Sequence, residues 1–259
     1  MISREKTFDV TVLTAVTFDM WETLIIEDRD IGLKRAQLRI NGTADALAQV
    51  GHRYAEDDLW DAYWACAKTC GEIRDQGRDI SFDQQVSIFI NAIKSGLSVE
   101  LPELTAQRIS WVYDQSFFVH PTPLHPDAVS TLARVKREGL KIGLISNTGM
   151  TPGRTVRAYM DKVGILDFFD VLVFSDEVHL AKPSREIFCL ALHQMGVFPS
   201  ETVHVGDDRM KDVAAAKIAG LKAIWVPRFA QDQLPEYYPP DASVEDLAHV
   251  ADAIISLVN

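Results

Sequence analysis

Thr14-Ala15-Val16-Thr17-Phe18-Asp19-Met20-Trp21-Glu22-Thr23-Leu24 opens as a short apolar, β-branched run and breaks off at an aspartate. Thr14–Phe18 has the length of a buried strand, and the chain turns polar within one step of its end. Four later runs repeat the pattern: Lys141–Ile145, Val171–Phe174, Thr202–Val205 and Ala223–Val226. Helical stretches separate the later ones. Ala128–Glu138 carries Val129, Leu132, Ala133 and Val135 at helical spacing and stops at Gly139. Arg185–Met195 stops at Gly196 and Asp212–Ala219 at Gly220 in the same manner. Strand and helix in alternation predict an α/β fold, with a Rossmann-like parallel sheet and helices on both faces.

Residues 27–122 read differently. They hold no strand signal but four amphipathic stretches, Lys34–Val50, Asp57–Asp75, Phe82–Ser95 and Glu103–Phe118. The pattern predicts an α-helical domain inserted after the first strand. Pro121-Thr122-Pro123-Leu124-His125-Pro126 then reads as a semi-rigid linker back to the sheet. The expected division is a core of residues 1–26 and 123–259 and a helical domain of residues 27–122.

Composition narrows the partners. The 259 residues are 47% apolar and 24% charged, which is globular composition. A net charge of −11 with no stripe of Lys and Arg argues against nucleic acid or an anionic membrane surface. Met1–Lys6 shows no signal-peptide pattern, and no segment has the apolar length of a membrane span. Cys66, Cys70 and Cys189 make no disulfide framework, so a cytoplasmic location is expected. Cys66 and Cys70, four apart with no histidine near them, read as helix packing.

Ligands of open parallel sheets sit beyond the carboxyl ends of the strands. Following the apolar runs in order are Asp19, then Ser146-Asn147-Thr148-Gly149, then Ala181-Lys182-Pro183, then Gly206-Asp207-Asp208-Arg209-Met210-Lys211-Asp212. One sheet edge therefore gathers Asp19, Ser146, Asn147, Lys182, Asp207, Asp208 and Asp212. Carboxylates crowded in this way repel one another unless a cation joins them. A hard cation with oxygen ligands, normally Mg²⁺, meets that need, and with a lysine and hydroxyl or amide donors it suits a phosphoryl group.

In order and placement, the four elements resemble the four motifs of the haloacid dehalogenase-like hydrolases, and the helical segment resembles their cap domain. The resemblance implies a hydrolase of a small-molecule substrate, with Asp19 as nucleophile and Thr23 orienting its loop. It implies that Ser146, the adjacent amide group and Asn147 meet the phosphoryl oxygens and that Lys182 offsets the negative charge. Mg²⁺ would be held by Asp19, Asp207, the backbone carbonyl of Trp21 and Asp212, with Asp208 assisting.

Trp21 departs from the family pattern. Its phosphatases carry a second aspartate at that position as general acid and base, and here the next residue is Glu22. Three readings stay open: a phosphatase for good leaving groups such as acyl or aryl phosphates; a phosphatase whose proton comes from Glu22 or a cap residue; or a dehalogenase, a class that carries tyrosine at this position. The retained Gly206-Asp207 and Asp212 favour metal-dependent phosphoryl chemistry. A catalytically weak binding or regulatory protein is the rival from another class.

Bland roles stand beside these. Asp208 reads equally as a first-turn carboxylate of the next helix, Asp212 as a surface carboxylate of that helix, and Ser146-Asn147 as a helix cap. Glu22 reads as a solvated or Arg-paired carboxylate, and His204 as a strand residue of the core. Trp60 and Trp64 fit a packing pair four apart, although Trp60, Trp64 and Trp111 are also candidates to line a substrate pocket.

Overall fold

The computed structural model describes residues 12–228 and 238–258; Met1–Lys6 and the rest of residues 1–11 lie outside the described residues. Six parallel strands form the sheet: β1 (Ala15–Phe18), β2 (Lys141–Ser146), β3 (Val171–Phe174), β4 (Thr202–Gly206), β5 (Lys222–Trp225) and β6 (Ala242–Ser243). Their spatial order is β3-β2-β1-β4-β5-β6. β1 is central and buried along its whole length. Phe18 lies opposite Leu144 on one side and Val205 on the other. Burial on both faces is why the early run is continuously apolar and does not alternate. The β6 strand went unnoticed in the sequence because two residues carry no period.

Helices cover both faces. On one, α6 (Ala128–Arg137), α7 (Gly153–Lys162) and α11 (Val250–Val258) contribute Leu132, Val156, Met160 and Ile254 to a cluster with Val16, Phe18 and Leu144. On the other, α9 (Arg185–Met195) and α10 (Ala215–Ala219) pack Ile187, Phe188 and Ala216 against Ile145, Val173 and Ala223. A one-turn helix, α8 (Ser175–Val178), follows β3. The sequence pattern Asp212–Ala219 resolves into two parts: a wide π-type turn over Arg209–Ala214, then α10.

Between β1 and β2 the chain is helical. It runs through α1 (Arg29–Gln49), α2 (Glu56–Asp75), α3 (Phe82–Ile93), α4 (Leu97–Glu100) and α5 (Glu103–Val119). These helices bury their own cluster, including Ile40, Leu47, Leu59, Phe89 and Ile109. Cys66 and Cys70 sit inside it with their Sγ atoms 3.9 Å apart, as a packing pair. α1 begins five residues before the expected Lys34. Its first turn holds a single apolar residue, Ile31, and so shows no apolar periodicity, but the Asp28 side chain caps it by accepting from the Asp30 N–H at 2.7 Å. The helical segment touches the sheet layer at the α2–α3 connection, where Asp79 N–H donates to the His179 carbonyl and Ala181 N–H to the Gly77 carbonyl.

Candidate active site

The strand order reverses at β1: β2 lies on one side of it and β4 on the other. A crevice opens at such a switch point, beyond the carboxyl ends of the strands. Asp19 sits there, one residue past β1, its N–H bonded to the Val205 carbonyl at 2.9 Å. A cleft of about 590 Å³ runs from this point to α1 and α2. Asp19, Trp21, Glu22, Asn147, Lys182, Asp207, Asp208 and Asp212 all border it.

Lys182 is the hub. It is 2% exposed, and its Nζ donates to Asp19 Oδ1 at 2.5 Å and to Asp212 Oδ1 at 2.6 Å. Burial alone would lower its pKa, but the charges of Asp19 and Asp212 outweigh burial and hold it above the usual value. Asp212 is in turn met by His204 Nε2 at 3.1 Å, and His204 Nδ1 by Thr17 Oγ1 at 2.8 Å. Burial lowers the pKa of His204, which favours a neutral ring. For Asp212, burial raises the pKa, but Lys182 and His204 overcome it and keep the group below the usual aspartate value.

Asp212 reaches this position because of two local features. The turn widens just past it: the Asp212 N–H bonds to the Asp208 carbonyl four residues back, and the Val213 N–H reaches that same carbonyl from five residues on. Gly206 leaves room for it: a Cβ at that position would lie 2.3 Å from Asp212 Cγ. Asp212 is therefore no surface carboxylate. Asp208, by contrast, caps the turn, its Oδ1 accepting from the N–H groups of Met210 and Lys211.

Asp19, Asp207 and Asp212 bring carboxylate oxygens within 4.8 Å of one another. Lys182 offsets only one of three potential negative charges. Burial pushes the Asp19 carboxyl up to about 7 against the pull of Lys182, and burial with the charges of Asp19 and Asp212 pushes Asp207 up to about 8. An all-oxygen donor set with surplus negative charge fits a hard divalent cation.

The other expected residues are placed as follows. Thr23 Oγ1 lies 3.5 Å from Asp19 Oδ2. The Asn147 side chain is engaged at both ends, donating to the Lys182 carbonyl at 2.8 Å and accepting from its N–H at 2.9 Å. Asn147 thus clamps the peptide that carries Lys182. Ser146 is fully buried at the end of β2, its Oγ without a partner among the described residues. Glu22 adopts a left-handed backbone (φ 59°). It accepts from the Glu27 N–H and lies 3.5 Å from Arg228 Nε. Trp64 borders the cleft and stacks on Trp60 at 6.0 Å, whereas Trp111 is exposed away from it.

Among the side chains at the cleft that escaped the sequence reading are Glu27, Arg35 and Arg39. Arg35 pairs with Glu27 and donates to Thr122 Oγ1 at 2.8 Å. Their only sequence signal was two arginines four apart on a helix, which ordinarily marks a solvated face.

A profile of the haloacid dehalogenase-like hydrolases matches residues 13–220. The chain belongs to this family. Within it, the chain is 30% identical to the pyrimidine 5'-nucleotidase YjjG of Escherichia coli over 233 residues, 90% of this chain and 93% of that one. It is 38% identical to a phosphoserine phosphatase of Thermus thermophilus over 128 residues, a match that spans 49% of this chain and only half of that enzyme's length. The fold of the hydrolase also superposes on a 2-haloacid dehalogenase from Pseudomonas syringae, with TM-score 0.65, 22% identity, and 94% and 98% of the two chains covered.

Proposed function

We propose that the chain is a cytoplasmic, Mg²⁺-dependent phosphatase of small phosphorylated metabolites, working through an aspartyl phosphate on Asp19. In this reading residues 27–122 are a cap domain over a core of residues 1–26 and 123–259. The observation that carries it is Lys182 bridging Asp19 and Asp212 within an all-carboxylate cluster at the switch point. A phosphoserine phosphatase and a pyrimidine 5'-nucleotidase among the family relatives support the same direction.

Mg²⁺, held by Asp19, Asp207, Asp212 and the Trp21 carbonyl, would offset carboxylate charge and polarise the phosphoryl group. The carboxylate of Asp19 attacks phosphorus, and the bond from phosphorus to the ester oxygen breaks as that oxygen leaves with its electron pair. Lys182 offsets charge on the transferring oxygens, while Asp212 and Asn147 hold Lys182 in place. Water then attacks the phosphorus of the aspartyl phosphate, releasing phosphate and restoring Asp19. Position 21 offers no carboxylate to protonate the leaving oxygen. Glu22, beside it, is already tied to Glu27 and Arg228. Substrates with good leaving groups, acyl or aryl phosphates, are accordingly favoured.

Steady-state hydrolysis of an aryl phosphate tests the proposal. Asp19→Asn and EDTA should each abolish turnover. Trp21→Asp should raise activity on an alkyl phosphate by roughly 10²-fold, the lower range of a positioned acid–base group. Activity persisting in EDTA or in Asp19→Asn sinks the proposal. Because Trp21 is aromatic, 2-haloacid dehalogenation is the second reading, and EDTA-insensitive chloride release would select it.

A further inference from the structure

We propose that Arg39 forms a second anion-binding subsite in the cleft, taking a carboxylate or second phosphate on the same molecule whose phosphoryl group meets Asp19. This rests on the phosphoryl reading of the Asp19 site. Arg39 borders the cleft and is 3% exposed. It lies one helical turn beyond Arg35 on α1, so the two share a face. Arg35 has its counter-charge in Glu27, but Arg39 has no carboxylate within ion-pair distance among the described residues.

Its partners are all neutral. Nε donates to Ser116 Oγ at 2.9 Å, one terminal nitrogen to the Tyr63 hydroxyl at 3.2 Å, and the other to Thr151 Oγ1 at 3.1 Å. The Tyr113 ring lies 4.8 Å from the guanidinium carbon. These contacts orient the group without neutralising it, and a guanidinium has five N–H donors, of which these bonds use three. A buried charge left unpaired is unfavourable unless an anion joins it. Planar, bidentate recognition of carboxylate or phosphate is what the arginine fork suits. Thr151 belongs to the loop after β2 that also carries Asn147, and this links Arg39 to the wall holding Lys182. About one turn before Arg39 on the same face, Ala36 also borders the cleft.

Calorimetry in Mg²⁺ reads the subsite without turnover. The probes are phosphonoacetate, phosphonopropionate and phosphonobutyrate, alkylene bisphosphonates of matched length, and plain alkylphosphonates as the reference. At least one carboxylate or bisphosphonate series member should bind the wild type more than about tenfold tighter than its alkyl match, the value of one charge-assisted hydrogen bond. Arg39→Gln should close that gap, and Arg39→Lys should restore part of it. Equal wild-type affinities across each pair overturn the subsite and leave the phosphoryl site standing. A gap that persists in Arg39→Gln overturns the assignment to Arg39. Binding of no phosphonate at all overturns the phosphoryl reading and the subsite with it. The wild-type comparison needs no substitution, so it decides even if a variant fails to fold.

Discussion

Gly206 shows how narrow the tolerances are around Asp19. Its hydrogen faces the carboxyl group of Asp212, and a methyl there would lie 2.3 Å from Asp212 Cγ. Asp212 cannot swing aside freely, since Lys182, His204 and the Asp208 N–H all hold it. Gly206→Ala is therefore expected to displace Asp212 and, through it, Lys182. A shift of about 1 Å in a catalytic group costs roughly 10²-fold. The expected result is a fall of that order in kcat with a lower Tm, read by steady-state kinetics and a thermal melt. Unchanged kcat would mean that Asp212 does not position Lys182.

At the level of elements, Asp170 ties the start of β3 to β2 and α6. Its carboxylate accepts from the Ile142 N–H at 2.8 Å and from Lys136 Nζ at 2.9 Å. Partial burial raises its pKa, but these two bonds outweigh burial and hold it below the usual 3.8. The depressed group adds stability at neutral pH that is lost as pH falls from the unfolded value through the folded one. Asp170→Asn should cost about 0.5–1 kcal/mol at pH 7, a small figure because water screens the pair. Urea titrations should show the deficit closing below about pH 4. A deficit constant with pH would place the effect in packing and not in charge.

The molecule as a whole depends on how the helical segment meets the sheet layer. Asp79, buried at the α2–α3 connection, accepts from Ser175 Oγ at 2.6 Å and faces Arg74 at 3.5 Å. Ser175 in turn accepts from the Thr148 N–H, next to Asn147. The contact thus reaches the loop that clamps Lys182. Asp79→Ala should destabilise the protein by about 2–4 kcal/mol, because Arg74 and Ser175 lose a buried partner. It should also raise KM for a phosphate ester, because it loosens one wall of the cleft. Denaturant curves and kinetics on the same preparation check both, and a stability loss with unchanged KM would uncouple the contact from the cleft.

Much of this was legible in the residues alone. Thr14–Phe18 followed by Asp19 marks a strand and a site at its end, because a strand buried on both faces is apolar without interruption and its exit is where ligands bind. The same logic located Lys182, Asp207 and Asp212, and the order of those elements identified the family. Side-chain partnership was not legible. Asn147 meets Lys182 across 35 residues, Arg39 meets Thr151 across 112, and Lys182 meets Asp19 across 163. Hydrophobic periodicity is local, whereas these contacts exist only once the sheet and helices have packed. Thus His204, by sequence a core residue, is also the partner that steadies Asp212. Arg35 and Arg39, which the sequence did not single out, are buried at the cleft because α1 turns that face toward α5 and the loop after β2.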